Sequence, residues 1–214
     1  GSIYLATNDL NNALVFYQNA LDIRLEIEDI MGIANSQNNL SLVYRRKDDY
    51  NTALEYLNKS LRNYQNIGNK SSIANAINQI GNIQKRLQQY DLALKSYLDA
   101  IKIRQEINDR NEIASILINI GIIYSDIGNY SKALETFNQS LEIKREFGNR
   151  KEISYSLHII GNTHLMLKEY NKALSFYQEA LQLRKETGDK INIATSLKSI
   201  GNTQLYLGNY EESI

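Results

Sequence analysis

The 214 residues contain no Pro, Cys or Trp, and 24 Lys plus Arg balance 24 Asp plus Glu, for a formal net charge of zero. A chain without Cys has no disulfide framework, thiolate metal site or cysteine nucleophile, and one without basic excess lacks the phosphate-neutralising surface that nucleic-acid binders use. No apolar run approaches the roughly 18 residues of a membrane span and no signal-peptide pattern opens the chain, so the expectations are no nucleic acid, no membrane and, by default only, a cytoplasmic location.

Without Pro, long uninterrupted helices form easily, and the apolar spacing sets them out in chain order. Residues 1–28 read as the end of one helix and a complete second helix, with Ala13-Leu14 three residues after Leu10. Residues 29–68, 69–108, 109–148 and 149–188 read as four full repeats, and 189–214 as a partial one, all in one continuous domain. Tyrosine recurs every 40 residues at Tyr50, Tyr90, Tyr130, Tyr170 and Tyr210, with Ala53-Leu54, Ala93-Leu94, Ala133-Leu134 and Ala173-Leu174 in step. Glycine recurs at Gly81, Gly121, Gly161 and Gly201, with Gly1 and Ser41 in register. Fixed self-similarity over so many periods is the signature of a solenoid.

Within the repeat 69–108, Ile73, Ile77, Ile80, Gly81, Gln84 and Leu87 recur mostly at steps of three and four, as does the set Ala93, Leu94, Tyr97, Ala100, Ile101 and Ile107. The spacing predicts two helices, A and B. The B-to-A joints are Gly68-Asn69, Asn108-Asp109, Gly148-Asn149 and Gly188-Asp189; the A-to-B turns are Gln88-Gln89, Gly128-Asn129, Lys168-Glu169 and Gly208-Asn209. Gly or Asn supplies the left-handed residue that ends one helix, and Asn or Asp caps the next. Gly121 is expected to face Ala133 and Phe137 so that A and B approach closely, and Ser41 to make the first full hairpin slightly looser.

These positions resemble the tetratricopeptide repeat family, whose pattern runs from a large apolar residue through Leu-Gly, Tyr and Ala to Phe. Here it reads Leu117, Ile120-Gly121, Tyr124, Ala133, Phe137, and again Ile77, Ile80-Gly81, Gln84, Ala93, Tyr97 and Leu157, Ile160-Gly161, His164, Ala173, Tyr177. The period exceeds the family's usual length of about 34 residues, and the closing proline is missing. Forty-residue versions resemble those of kinesin light chain, of polarity adaptors that bind GoLoco peptides, and of bacterial signalling arrays. The resemblance implies an all-α fold, an α-solenoid in which antiparallel A/B hairpins stack as a right-handed superhelix, with A helices lining a concave groove. Neither end carries a polar capping helix, so the chain reads as a segment of a longer array, and apolar ends invite self-association.

On that implication the ligand surface is the A-helix stripe beside the core stripe. It comprises Asn35, Asn38, Asn39 and Leu42; Asn75, Asn78, Gln79 and Asn82; Ser115, Ile118, Asn119 and Ile122; Tyr155, His158, Ile159 and Asn162; and Thr195, Lys198, Ser199 and Asn202. Asn offers a donor and an acceptor on one group and can pair with a peptide backbone; Asn is also frequent at outer positions, Asn63, Asn66 and Asn171, where it is merely solvated. Arg45, Arg46, Lys85 and Arg86 close two successive A helices, where they can meet an acidic ligand or complement the helix dipole. His158 and His164 lie about 120° apart on one helix with no third ligand, which does not make a zinc site. With no phosphate loop and no activated nucleophile, no cofactor or catalytic residue is assigned. The expectation is a non-enzymatic scaffold for a protein or peptide ligand. The alternatives are a ligand-responsive sensory module of a larger signalling protein, or a structural self-association element.

Overall fold

The computed structural model describes residues 1–208; Tyr210, and the start of the B helix expected at the end of the last partial repeat, lie outside them. Eleven helices and no strand occur among the described residues. The chain divides into two compact units, Gly1–Asp109 and Arg110–Ile214. The first holds α1 (Ser2–Ala6), α2 (Leu10–Glu26), α3 (Ile30–Arg46), α4 (Tyr50–Ile67), α5 (Lys70–Arg86) and α6 (Tyr90–Glu106). The second holds α7 (Arg110–Asp126), α8 (Tyr130–Phe147), α9 (Arg150–Met166), α10 (Tyr170–Thr187) and α11 (Lys190–Leu207). Odd-numbered helices are A and even-numbered ones B. Within each unit, A packs on the B that follows it as a hairpin, and each B packs on the next A.

Local chemistry sets the ends. Asp9, Asp29, Asp49, Asn69, Asn129, Asn149 and Asp189 each accept a hydrogen bond from the backbone N–H three residues on, satisfying an orphan donor of the first turn. The residue before each of these caps is left-handed whatever its type: Gly68, Gly128, Gly148 and Gly188 take φ between 67° and 77°, while Asn8, Glu28 and Asp48 take 55–60° despite their side chains. Gln88 and Lys168, which precede helix starts without a side-chain cap, take 58° and 59°. Ion pairs staple the two ends of a repeat, Lys70 to Glu106 (3.0 Å) in the first unit and Arg150 to Glu186 (2.6 Å) in the second.

The core runs between A and B. Ala13, Ala53, Ala93, Ala133 and Ala173 are wholly buried, and Tyr17, Leu57, Tyr97, Phe137 and Tyr177 fill the next B-helix turn. An added Cβ would stand 2.8 Å from the Tyr97 ring at Gly81, 2.3 Å from Phe137 at Gly121 and 2.7 Å from Tyr177 at Gly161. Glycine is therefore what lets an aromatic ring lie flat against the A helix. Where Ser41 replaces it, the B-helix register carries Leu57 in place of a ring, and Ser41 is buried with its hydroxyl donating to Asn38 O at 2.6 Å.

Candidate functional site on the A helices

The A-helix stripe is held from behind by the B helices. Tyr97 donates its hydroxyl to Asn82 Oδ1 (2.8 Å), Tyr177 to Asn162 Oδ1 (2.7 Å) and Tyr17 to Ser2 Oγ (3.3 Å). Where the B residue has no hydroxyl, at Leu57 and Phe137, the A residue in register is apolar too, Leu42 and Ile122. A buried phenol needs a partner, and burial pushes the Tyr177 hydroxyl up to about 12 and Tyr97 higher still. The recurrence of Asn82 and Asn162 thus has an internal reason. With its oxygen taken, each amide keeps its NH2 group for another acceptor.

A second device recurs at Arg24, Tyr64, Arg104, Lys144 and Arg184, one per period. Arg104 reaches Asn75 Oδ1, Ser71 Oγ (3.1 Å) and Asp109 (2.7 Å). Lys144 reaches Asn111 Oδ1 (3.1 Å), Ser115 Oγ (3.0 Å) and the Glu152 carboxylate. Arg184 reaches Ser196 Oγ (2.6 Å) and Asn192 O (3.0 Å), and Tyr64 donates to Asn35 Oδ1 at 2.7 Å. Three of these cations, Arg104, Lys144 and Arg184, are almost wholly buried. Reading the charges by period rather than by helix face would have exposed this column, because a cation at a buried register position must be paired.

The expected ligand residues meet in cavities. In the first unit Asn35, Asn38, Asn75 and Gln79 join Tyr64 and Ser72 around about 260 Å³, and Gln79 donates to Asn38 Oδ1 across α3 and α5 at 2.8 Å. Asn39 is half-buried beside them, and Asn78 Oδ1 is buried with no hydrogen-bond partner among the described residues. In the second unit Ser115, Ile118, Asn119, Ile122 and Tyr155 line about 420 Å³ with Lys144, Lys151, Glu152 and Ser156. The exposed Tyr155 ring and the isoleucines make its wall apolar, with the Lys144–Glu152 pair among its polar residues.

His158 packs its ring on Tyr177 (5.1 Å between centroids) next to Arg184, and burial followed by that guanidinium's charge lowers it to about 4. His164, in the family's Tyr register, is buried, stacks on Phe176 and contacts Glu169 at 2.6 Å. Lys198 and Asn202 are exposed on α11 and are not brought into either cavity.

The four basic residues also converge. Arg45, Arg46, Lys85 and Arg86, with Asp48, Tyr50 and Asn82, line about 440 Å³ between the C-terminal ends of α3 and α5. Burial, then the charges of Arg46 and Arg86, lowers the pKa of Arg45. Among the described residues no group of His, Cys, Asp and Glu is arranged to hold a metal, and no helix is long and apolar enough to cross a membrane.

The tetratricopeptide repeat pattern matches residues 1–66, 72–146 and 152–214, nearly the whole chain. The chain belongs to the tetratricopeptide repeat family. Its fold is that family's α-solenoid. Similar solved structures include BtubC from P. vanneervenii (15% identity, 95% of this chain and 86% of that one, TM-score 0.84). A Rap protein complexed with competence and sporulation factor is similar over 99% of this chain and 59% of its own (16% identity, TM-score 0.79). The putative kinesin light chain repeats of Podosopora anserina are similar over 84% and 89% (13% identity, TM-score 0.69). At these identities the likeness to the three solved structures is one of fold. No curated protein matches the chain.

Proposed function

We propose that this chain is a protein-interaction scaffold that holds a peptide segment along the stripe of its A helices. The observation that carries the reading is convergence: stripe residues from neighbouring A helices share cavities, Asn38 with Gln79 in the first unit and Asn119 with Tyr155 in the second. Amides that can donate and accept suit an extended backbone, and the apolar walls beside Tyr155 suit one side-chain anchor. The complex of a Rap protein with competence and sporulation factor supports the reading by analogy of fold.

The test begins with peptides selected on this chain from a random displayed library, titrated by calorimetry. Alanine at Asn38 and Gln79, or at Asn119 and Tyr155, should weaken a selected peptide at least tenfold, at about 1 kcal/mol per lost hydrogen bond. Lys59→Ala on the exposed side of α4 should leave it within twofold. Peptides indifferent to both pairs of substitutions in folded protein would sink the stripe as a binding surface.

A further inference from the structure

We infer that the cavity between the ends of α3 and α5 is a docking site for an acidic peptide segment, which rests on the scaffold reading and names the chemistry of part of its partner. Among its lining residues four cations, Arg45, Arg46, Lys85 and Arg86, face one carboxylate, Asp48, which itself accepts from the Tyr50 hydroxyl at 2.7 Å. The chain as a whole is neutral, so this excess is local.

Complementing the helix dipole does not account for it. That need is the same at every A-helix C-terminus, yet the same two register positions hold Ser125-Asp126 on α7, Leu165-Met166 on α9 and Leu205-Tyr206 on α11. Cations stand only where α3 and α5 are neighbours and share a cavity. There they oppose one another: burial and the charges of Arg46 and Arg86 both disfavour the charged form of Arg45. Arg46 is tied to the last turn of α1 through Leu5 O, but the side chains of Arg45 and Arg86 make no hydrogen bond or ion pair among the described residues. Repulsion among Arg45, Arg46 and Arg86 is relieved by a bound anion.

Asn82 completes the site. Because Tyr97 holds its oxygen, its amide NH2 is left as a neutral donor on the cavity wall. A volume of about 440 Å³ exceeds what one oxyanion fills and takes two or more carboxylate side chains. Guanidinium forks match carboxylates in geometry as well as charge.

The experiment is fluorescence anisotropy of labelled hexaglutamate at low salt, with hexaglutamine as the uncharged control. Hexaglutamate should bind and hexaglutamine should not. R45Q/R86Q should weaken hexaglutamate at least tenfold, and K95Q/K102Q, which removes two exposed cations of α6, should change it less than twofold. Arg86 is exposed, so R86Q alone, with an expected loss of threefold or more, keeps the test in hand should the double variant unfold. Equal loss in both double variants, no loss in R45Q/R86Q, or no binding by the wild-type chain would overturn the assignment. So would displacement by millimolar inorganic phosphate at constant ionic strength, which would make the cavity a phosphate site. None of these results bears on Asn38, Gln79, Asn119 or Tyr155, so the scaffold reading stands or falls separately.

Discussion

Asn82 and Tyr97 show how a single residue can mislead when its neighbours in space are not considered. Asparagine recurring on one helix face suggests a ladder for a ligand, but Asn82 and Asn162 first serve buried phenols on the B helix. The pair is testable by itself. Asn82→Leu leaves the Tyr97 hydroxyl buried without an acceptor and should cost about 1–3 kcal/mol in urea unfolding. Y97F/N82L should recover most of that, because the Leu57/Leu42 and Phe137/Ile122 pairs are the same solution in apolar form. A double variant no more stable than N82L would refute the coupling. His158 yields a pH dependence. Burial and the Arg184 charge lower its folded pKa to about 4 from the ordinary imidazole value of 6.5, so between those values the unfolded chain binds the extra proton. Its contribution is present in full above about 6.5 and is lost as pH falls toward 4. Urea midpoints at pH 7.5 and 5 should differ by more in the wild type than in His158→Gln, and equal differences would contradict the assignment.

At the scale of the helix, ends and close approaches decide stability. Every joint demands a left-handed residue, and Lys168 adopts φ 59° with a full side chain where other joints have glycine. Relieving the Cβ strain favours Lys168→Gly by up to about 1 kcal/mol, readable as a rise in thermal midpoint; a fall would mean that the lysine side chain contributes more than its backbone costs. Gly121→Ala is the opposite case. Its Cβ would meet the Phe137 ring at 2.3 Å, and the loss should be about 1–3 kcal/mol. Gly121→Ala combined with Phe137→Leu should restore part of it, since the Ser41/Leu57 register already pairs a Cβ with an aliphatic side chain. Failure of that rescue would deny that ring contact is the reason for glycine.

For the whole molecule, the forty-residue period makes each repeat interchangeable in register. Asp29 and Asn69 cap their helices in the same way. Excising residues 29–68 should therefore leave the helicity per residue unchanged by circular dichroism while lowering the melting midpoint, as expected of nearest-neighbour stabilisation; collapse of helicity would deny that the repeats are independent units. Periodicity by itself determined the helices, their joints, the glycine contacts and the family, because these depend on spacing along the chain and on short-range sterics that recur with it. Only the tertiary structure decided which polar side chains are spent internally. The Arg104, Lys144 and Arg184 column looks like ordinary surface charge when each B helix is read alone, and becomes a buried tie only when the A helices close over it. The basic cavity likewise needs α3 beside α5, because like charges in four separate sequence positions acquire meaning only when packing forces them to share one volume.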